Sequence, residues 1–312
     1  MTGTEEALSR SLDNLSGGAA VIARGQEKRL GYLSELADTF LEGIMTAGEA
    51  TSVRSLIGIA ATALSVLPSG NACERTEPGR NRYLWDATLS ELAEGDRALF
   101  ARIMVKKCKE HFGHEIGLSD FADGAVPPPE RSRTVYVRNP LSDRAYQAFS
   151  GMIGSPTVGY RQGFRELLDD VEHGYADYAV LPLFSGGARI GSVFSLLEDY
   201  GLHVAAVTVL DGGEEDVTFA LLAREAVTLS LPNRFLFSLT LAGEELAGVL
   251  AAMRRLEVLP RRFEATPLPY ENGRLSLCAA VGGDERSLID FLTYLSLFWP
   301  GYVGYGFYTE PE

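Results

Sequence analysis

The hydrophobic period changes once along the chain, and Pro127-Pro128-Pro129 marks the change. Before it, apolar residues recur in steps of three and four. After it, short runs of β-branched and aromatic residues alternate with helical stretches. Three consecutive prolines fix φ near −65° and remove three backbone donors, so neither a helix interior nor a central strand can run through them. A chain with this punctuation separates into a helical part, residues 1–112, a linker, 113–133, and a mixed α/β part.

In the helical part, Leu8, Leu12, Leu15, Ala19, Ile22, Leu33, Leu36 and Phe40 describe the apolar seam of one long packed helix, weakened by Gly17, Gly18, Gly25 and Gly31. A second helix is expected over 49–67 and a Gly- and Pro-rich loop over 69–82. Helical pattern returns over 85–112, with Asp96 capping the helix that follows a break at Gly95. His111 and His114 read as a solvated pair rather than metal ligands, because no second cluster accompanies them.

Beyond the prolines the pattern predicts strands at 134–137, 157–159, 178–183, 203–210 and 217–223, with helices at 143–153, 162–174 and 191–200. This is an open α/β sheet. Residues 232–312 follow another order: strand 235–241, helix 244–256, strands 260–267 and 274–281, helix 285–298, strand 302–308. Strand, helix, two strands, helix, strand is the split β-α-β order of a ferredoxin-like unit, whose exposed sheet edge favours pairing. A homodimer is expected.

Charge narrows the partners. The 42 acidic against 28 basic residues leave a net charge of −14, which gives phosphate backbones no electrostatic attraction and excludes nucleic acid. No stretch is long and apolar enough to span a membrane, and residues 1–10 have no export signal, so a cytoplasmic protein is expected. Cys73, Cys108 and Cys278 are scattered thiols that suit a reducing compartment and encode no zinc framework. Neither a metal nor another cofactor is called for.

Ala176-Asp177-Tyr178, Leu181-Pro182-Leu183 and Gly191-Ser192-Val193, in that order within residues 164–204, resemble the prephenate dehydratase family. Residues 216–225 are similar to the strand that carries the family's Thr-Arg-Phe, and the ferredoxin-like end resembles its ACT domain. The resemblance implies binding of prephenate, chorismate or an aromatic amino acid, with Thr218 the catalytic threonine and Glu264 an effector ligand. Several family motifs are replaced: Glu-Asn-Ser by Phe184-Ser185-Gly186, Gly-Pro-Glu-Gly-Thr-Phe by residues 139–144, and Thr-Arg-Phe by Val217-Thr218-Phe219, where either the threonine is lost or Thr218 stands in for it and the arginine is gone. The family's second lobe, on the far side of its cleft, has no counterpart between Val204 and Thr218.

The amino-terminal helices resemble the chorismate mutase domain that precedes many dehydratases, through Lys28-Arg29-Leu30 and residues 99–104. That resemblance implies a dianion held by Arg29 and Gln26, with Lys107 a further candidate, although Phe40 stands where the family has a lysine and Lys107 and His111 stand where it has Ser and Gln. The expected architecture is therefore α+β and multi-domain: a helical chorismate mutase-like domain, a truncated α/β dehydratase-like lobe at 134–231, and an ACT-like domain. The expected function is regulation or scaffolding in phenylalanine metabolism without dehydratase turnover. An active chorismate mutase and a divergent dehydratase working through Thr218 are the alternatives.

Overall fold

A computed structural model describes residues 23–42, 89, 91–113, 115–121, 127–227, 229, 232–269, 271, 273–299 and 301–309. The apolar seam before residue 23, the helix expected at 49–67 and the loop at 69–82 lie outside the described residues. None of the described helices is long and apolar enough to cross a membrane.

Two helices open the described chain, α1 at residues 23–42 and α2 at Glu94–Phe112. Helix α2 begins two residues before Asp96, so Asp96 sits in its first turn instead of capping it. An α/β segment follows: β1 (Arg133–Val137), α3 (Pro140–Ser150), β2 (Thr157–Arg161), α4 (Phe164–Glu172), β3 (Tyr178–Ser185), β4 (Ala188–Arg189), α5 (Gly191–Tyr200), β5 (His203–Asp211) and β6 (Asp216–Ala223). Helix α3 starts earlier than its apolar period suggests. The Asn139 side chain accepts the Ser142 N–H at 2.9 Å, and Pro140 occupies the first turn, where a missing donor costs nothing.

The strands of this segment lie in the order β2-β1-β3-β6-β5, with β4 pairing β3 off that path. Strands β2, β1 and β3 are parallel because helices connect them, whereas β5 and β6 are antiparallel because the chain reverses directly through residues 212–215. No lobe is inserted there. One face of the sheet packs on Leu167 and Leu168 of α4 and Val193 and Leu197 of α5, and the other on Ala145 and Phe149 of α3.

The carboxyl-terminal segment is β7 (Arg234–Ala242), α6 (Leu246–Arg255), β8 (Leu259–Pro267), β9 (Arg274–Gly282), α7 (Glu285–Phe298) and β10 (Val303–Tyr308). Its antiparallel sheet runs β10-β7-β9-β8, the split β-α-β arrangement expected from the order of elements. Alternation divides its side chains. Phe237, Leu239, Leu277 and Ala279 face α6 and α7, whereas Leu236, Cys278, Ala280 and Tyr305 join the core of the first sheet.

The two sheets meet where β10 runs beside β5 and Ala206 bridges to Thr309. Gly306 permits this approach. Its φ is +134°, and an added Cβ would stand 2.7 Å from the Val204 carbonyl oxygen.

Helices α1 and α2 cover the outer side of the carboxyl-terminal helices. Leu33, Ala37 and Leu41 of α1, Phe100, Met104 and Cys108 of α2, and Ile289 of α7 share one buried cluster. Ile116, within the segment expected to be linker, is buried in the same cluster. The whole described chain is thus tied together by packing rather than strung on a connector.

Candidate functional site

In an open α/β sheet the natural binding crevice lies beyond the carboxyl ends of parallel strands, where successive connections leave in opposite directions. Here the chain moves from β1 outward to β2 and then back across to β3, so that point falls between β1 and β3. At the end of β1, Asn139 spends its side chain on the α3 terminus and on Ser142 Oγ, 2.8 Å away. The Tyr136 hydroxyl donates to Asp143 at 2.8 Å, and burial followed by this carboxylate pushes the phenol's pKa upward.

At the end of β3 a bulge between Pro182 and Phe184 sets Phe184 opposite Thr218 of β6 and Arg189 of β4. Phe184 is buried, and Thr218 is 1% exposed. Beyond them, the Ser185 hydroxyl donates to Glu215, and Gly186 turns with φ of +56° so close to that residue that an added Cβ would lie 2.1 Å from Glu215 Oε2. Asp211, Glu214, Glu215 and Asp216 give this strand end an acidic rim. Like charge opposes a dicarboxylate there.

The carboxyl-terminal sheet closes over the same strand end. The Phe184 ring meets Phe194 edge-on at 5.4 Å, Phe194 meets Tyr305 at 5.3 Å, and the Arg262 guanidinium lies 5.0 Å from the Phe184 centroid. Arg189 crosses between the sheets. Its backbone N–H donates to Glu264 Oε2 at 2.8 Å, its Nε lies 3.6 Å from Glu264 Oε1, and its Nη1 donates to Ser276 Oγ at 3.2 Å. Thr266 Oγ1 adds a 3.0 Å bond to Glu264 Oε1.

Beside this pair, the Tyr305 hydroxyl donates to Glu198 and stands 3.0 Å from Ser238 Oγ. Burial, then the carboxylate, raises the Tyr305 pKa. Burial also pushes the Cys278 thiol up to about 12, which keeps it protonated and a poor nucleophile.

Two of the residues singled out by sequence, Thr218 and Glu264, therefore come to the two walls of one seam, linked through Phe184 and Arg189. The helical candidates lie elsewhere. Gln26 is exposed, and the half-exposed Arg29 side chain pairs with Asp96. That carboxylate raises the guanidinium pKa. Lys107 Nζ lies 2.9 Å from Asp38 Oδ2 and 3.1 Å from Glu110 Oε2, while His111 Nε2 lies 3.1 Å from Asp38 Oδ1. Lys107, then His111, lowers the Asp38 pKa. The partners of the two cations, Asp96 and Asp38, anchor opposite ends of the helix pair. At 1.5 Å per residue Asp96 and Lys107 are roughly 16 Å apart along α2. Phe40, where the resemblance calls for a cation, is buried.

Arg189 was not legible as a site residue. It sits in a two-residue strand too short to produce a period, and only Gly186-Gly187 before it signals a reversal. Among the described residues no group of three or more His, Cys, Asp or Glu side chains is placed to hold a metal.

No protein-family model matches the chain, and no curated protein matches it significantly. Solved structures do resemble it. Prephenate dehydratase from Streptococcus mutans superposes with a TM-score of 0.48 at 17% identity, covering 58% of this chain and 100% of that one. A prephenate dehydratase from Arthrobacter aurescens, solved in complex with L-Phe, gives 0.42 at 12% identity, covering 57% and 90%. GqqA, described as a novel type of quorum quenching acylases, gives 0.45 at 22% identity, covering 56% and 94%.

Proposed function

We propose that this protein is a degenerate member of the prephenate dehydratase family that acts in aromatic amino-acid metabolism as a regulatory or scaffolding protein, without dehydratase turnover. The observation that carries this reading is the closed seam: Thr218 is 1% exposed beneath the pairing of Phe184 with Arg262 and of Arg189 with Glu264. Eliminating water and carbon dioxide from prephenate calls for a cleft that grips two carboxylates and presents an acid to the departing hydroxyl. The two guanidinium groups of the seam are already engaged, Arg262 on the Phe184 ring and Arg189 on Glu264, and the acidic rim beyond repels a dicarboxylate.

The ACT-like unit supplies the regulatory part of the proposal, with Glu264 as the residue through which an aromatic amino acid would act on Arg189 and the first sheet. Its β8 is an open edge in which Leu259 is 59% and Phe263 39% exposed, which suits pairing with a second copy.

Purified protein incubated with prephenate at high enzyme concentration is expected to form phenylpyruvate no faster than buffer does. Turnover that disappears in Thr218→Val would overturn the proposal in favour of a divergent dehydratase. Conversion of chorismate to prephenate that disappears in Arg29→Ala would replace it with a chorismate mutase.

A further inference from the structure

Strand β2 is the outer strand of the first sheet, and among the described residues it pairs with β1 alone. The Thr157 N–H donates to the Ser132 carbonyl at 2.8 Å, which fixes how β2 presents its backbone. Alternate residues of a strand direct N–H and C=O to opposite sides, so Thr157, Gly159 and Arg161 face β1, whereas Val158 and Tyr160 face the open edge.

Such an edge is a template for another strand unless proline, a bulge or charge blunts it. β2 contains no proline, and its register with β1 runs without a shift. Its one charged residue, Arg161, folds back: Nη1 donates to the Tyr160 carbonyl at 2.8 Å, and Nη2 lies 2.6 Å from Asp170 Oδ2 of α4. That occupies one lone pair of one edge carbonyl and leaves the other. Val158 is 37% and Tyr160 46% exposed, so the edge is apolar as well as open.

The order Thr157-Val158-Gly159-Tyr160-Arg161 matches its own reverse. About a two-fold axis through Gly159, Val158 of one strand meets Tyr160 of the other as a hydrogen-bonded pair that uses the edge N–H and C=O groups. A β-branched residue opposite an aromatic one is a favourable cross-strand pair. Gly159 meets its own copy at the non-hydrogen-bonded centre, where strands come closest and neither brings a side chain. Thr157 meets Arg161, so the register opposes no like charges.

We propose that β2 pairs antiparallel with β2 of a second copy of this chain, centred on Gly159, and joins two first sheets into one. Five residues a side are few against the roughly 20–30 of a standard interface, so the contact is weak and reversible. It is separate from the β8 edge and does not depend on the function proposed for the seam.

Sedimentation equilibrium of the full chain from roughly 10 μM to 1 mM, the range of a weak contact, is the test. The unaltered protein is expected to associate as concentration rises. Val158→Pro removes an outward N–H without touching the β1 ladder and should abolish this step. Thr157→Glu sets a carboxylate opposite Arg161 in this register alone and should tighten association roughly 2- to 10-fold, whereas Thr157→Lys should weaken it by a similar factor. Phe263→Lys, run in parallel, separates the contact from pairing through β8 and should leave it in place. The proposal is overturned if the unaltered protein shows no association, if Val158→Pro leaves association unchanged, or if Glu and Lys at position 157 act alike. Should Val158→Pro fail to fold, or Phe263→Lys also dissociate the protein, the opposite signs at Thr157 decide.

Discussion

Asp38 receives Lys107 and His111 on its two oxygens, and that convergence sets how one carboxylate contributes to stability. Its pKa in the folded chain lies below the ordinary value, first because of Lys107 and then His111. The sign follows from linkage: the contribution is present above the unfolded carboxylate pKa of about 3.9 and is lost as pH falls through the lower folded value. Urea midpoints measured from about pH 7 downward should therefore decline more steeply for the parent than for Asp38→Asn below about pH 5. Parallel curves would show that the pair is electrostatically idle. Because the Asp38 side chain is 35% exposed, solvent screens the interaction, and the effect belongs with modest surface ion pairs.

At the level of elements, the contact between α2 and α7 rests on apolar packing plus one charge that cannot reach water. Asp290 is 2% exposed in its side chain and pairs with Arg102 Nε at 2.9 Å, whereas the Arg102 side chain is 38% exposed. Burial raises the Asp290 pKa despite the arginine. Breaking a fully buried pair costs about 3–5 kcal/mol, and the partial exposure of Arg102 brings the expected cost of Arg102→Ala down to about 2 kcal/mol. Asp290→Asn keeps an acceptor for Arg102 and leaves no buried charge, so it should cost less. A raised folded pKa contributes stability below the unfolded value and loses it as pH rises, so Asp290→Asn should gain on the parent between about pH 4 and pH 7. Urea denaturation of both variants across that range checks the order and the sign.

For the whole molecule, the decisive feature is that the two sheets share a core. Leu236, Cys278, Ala280 and Tyr305 of the second sheet lie in the same buried cluster as Leu181, Phe184 and Phe194. One polar link across that core is Arg189 with Glu264, exposed by 20% and 29% in their side chains. A double-mutant cycle of Arg189→Ala and Glu264→Gln should show coupling of at least about 0.5 kcal/mol, the lower end for residues in direct contact. Additive effects would mean that the Arg189 and Glu264 side chains do not couple the two sheets. The backbone N–H of Arg189 survives either substitution, so the cycle isolates the side-chain part of the contact.

Local chemistry made the elements readable in order. The period switches from helical to alternating at the prolines, Gly191 opens α5, and the strand and helix lengths after residue 232 leave one small arrangement that buries both faces, so these elements fall within a few residues of where the sequence predicts them. The direct reversal between β5 and β6 was visible too, because it is a matter of chain length. Long-range pairing was not visible. Nothing near Lys107 announces Asp38, nothing near Arg189 announces Glu264, and an apolar linker residue such as Ile116 gives no sign of the helix it will pack on. The sequence by itself determined which segments become strands and helices, since that depends on spacing along the chain. Which surfaces meet, and so whether Thr218 faces water or a second sheet, was decided only by tertiary structure, because contact energy depends on neighbours that sequence distance does not encode.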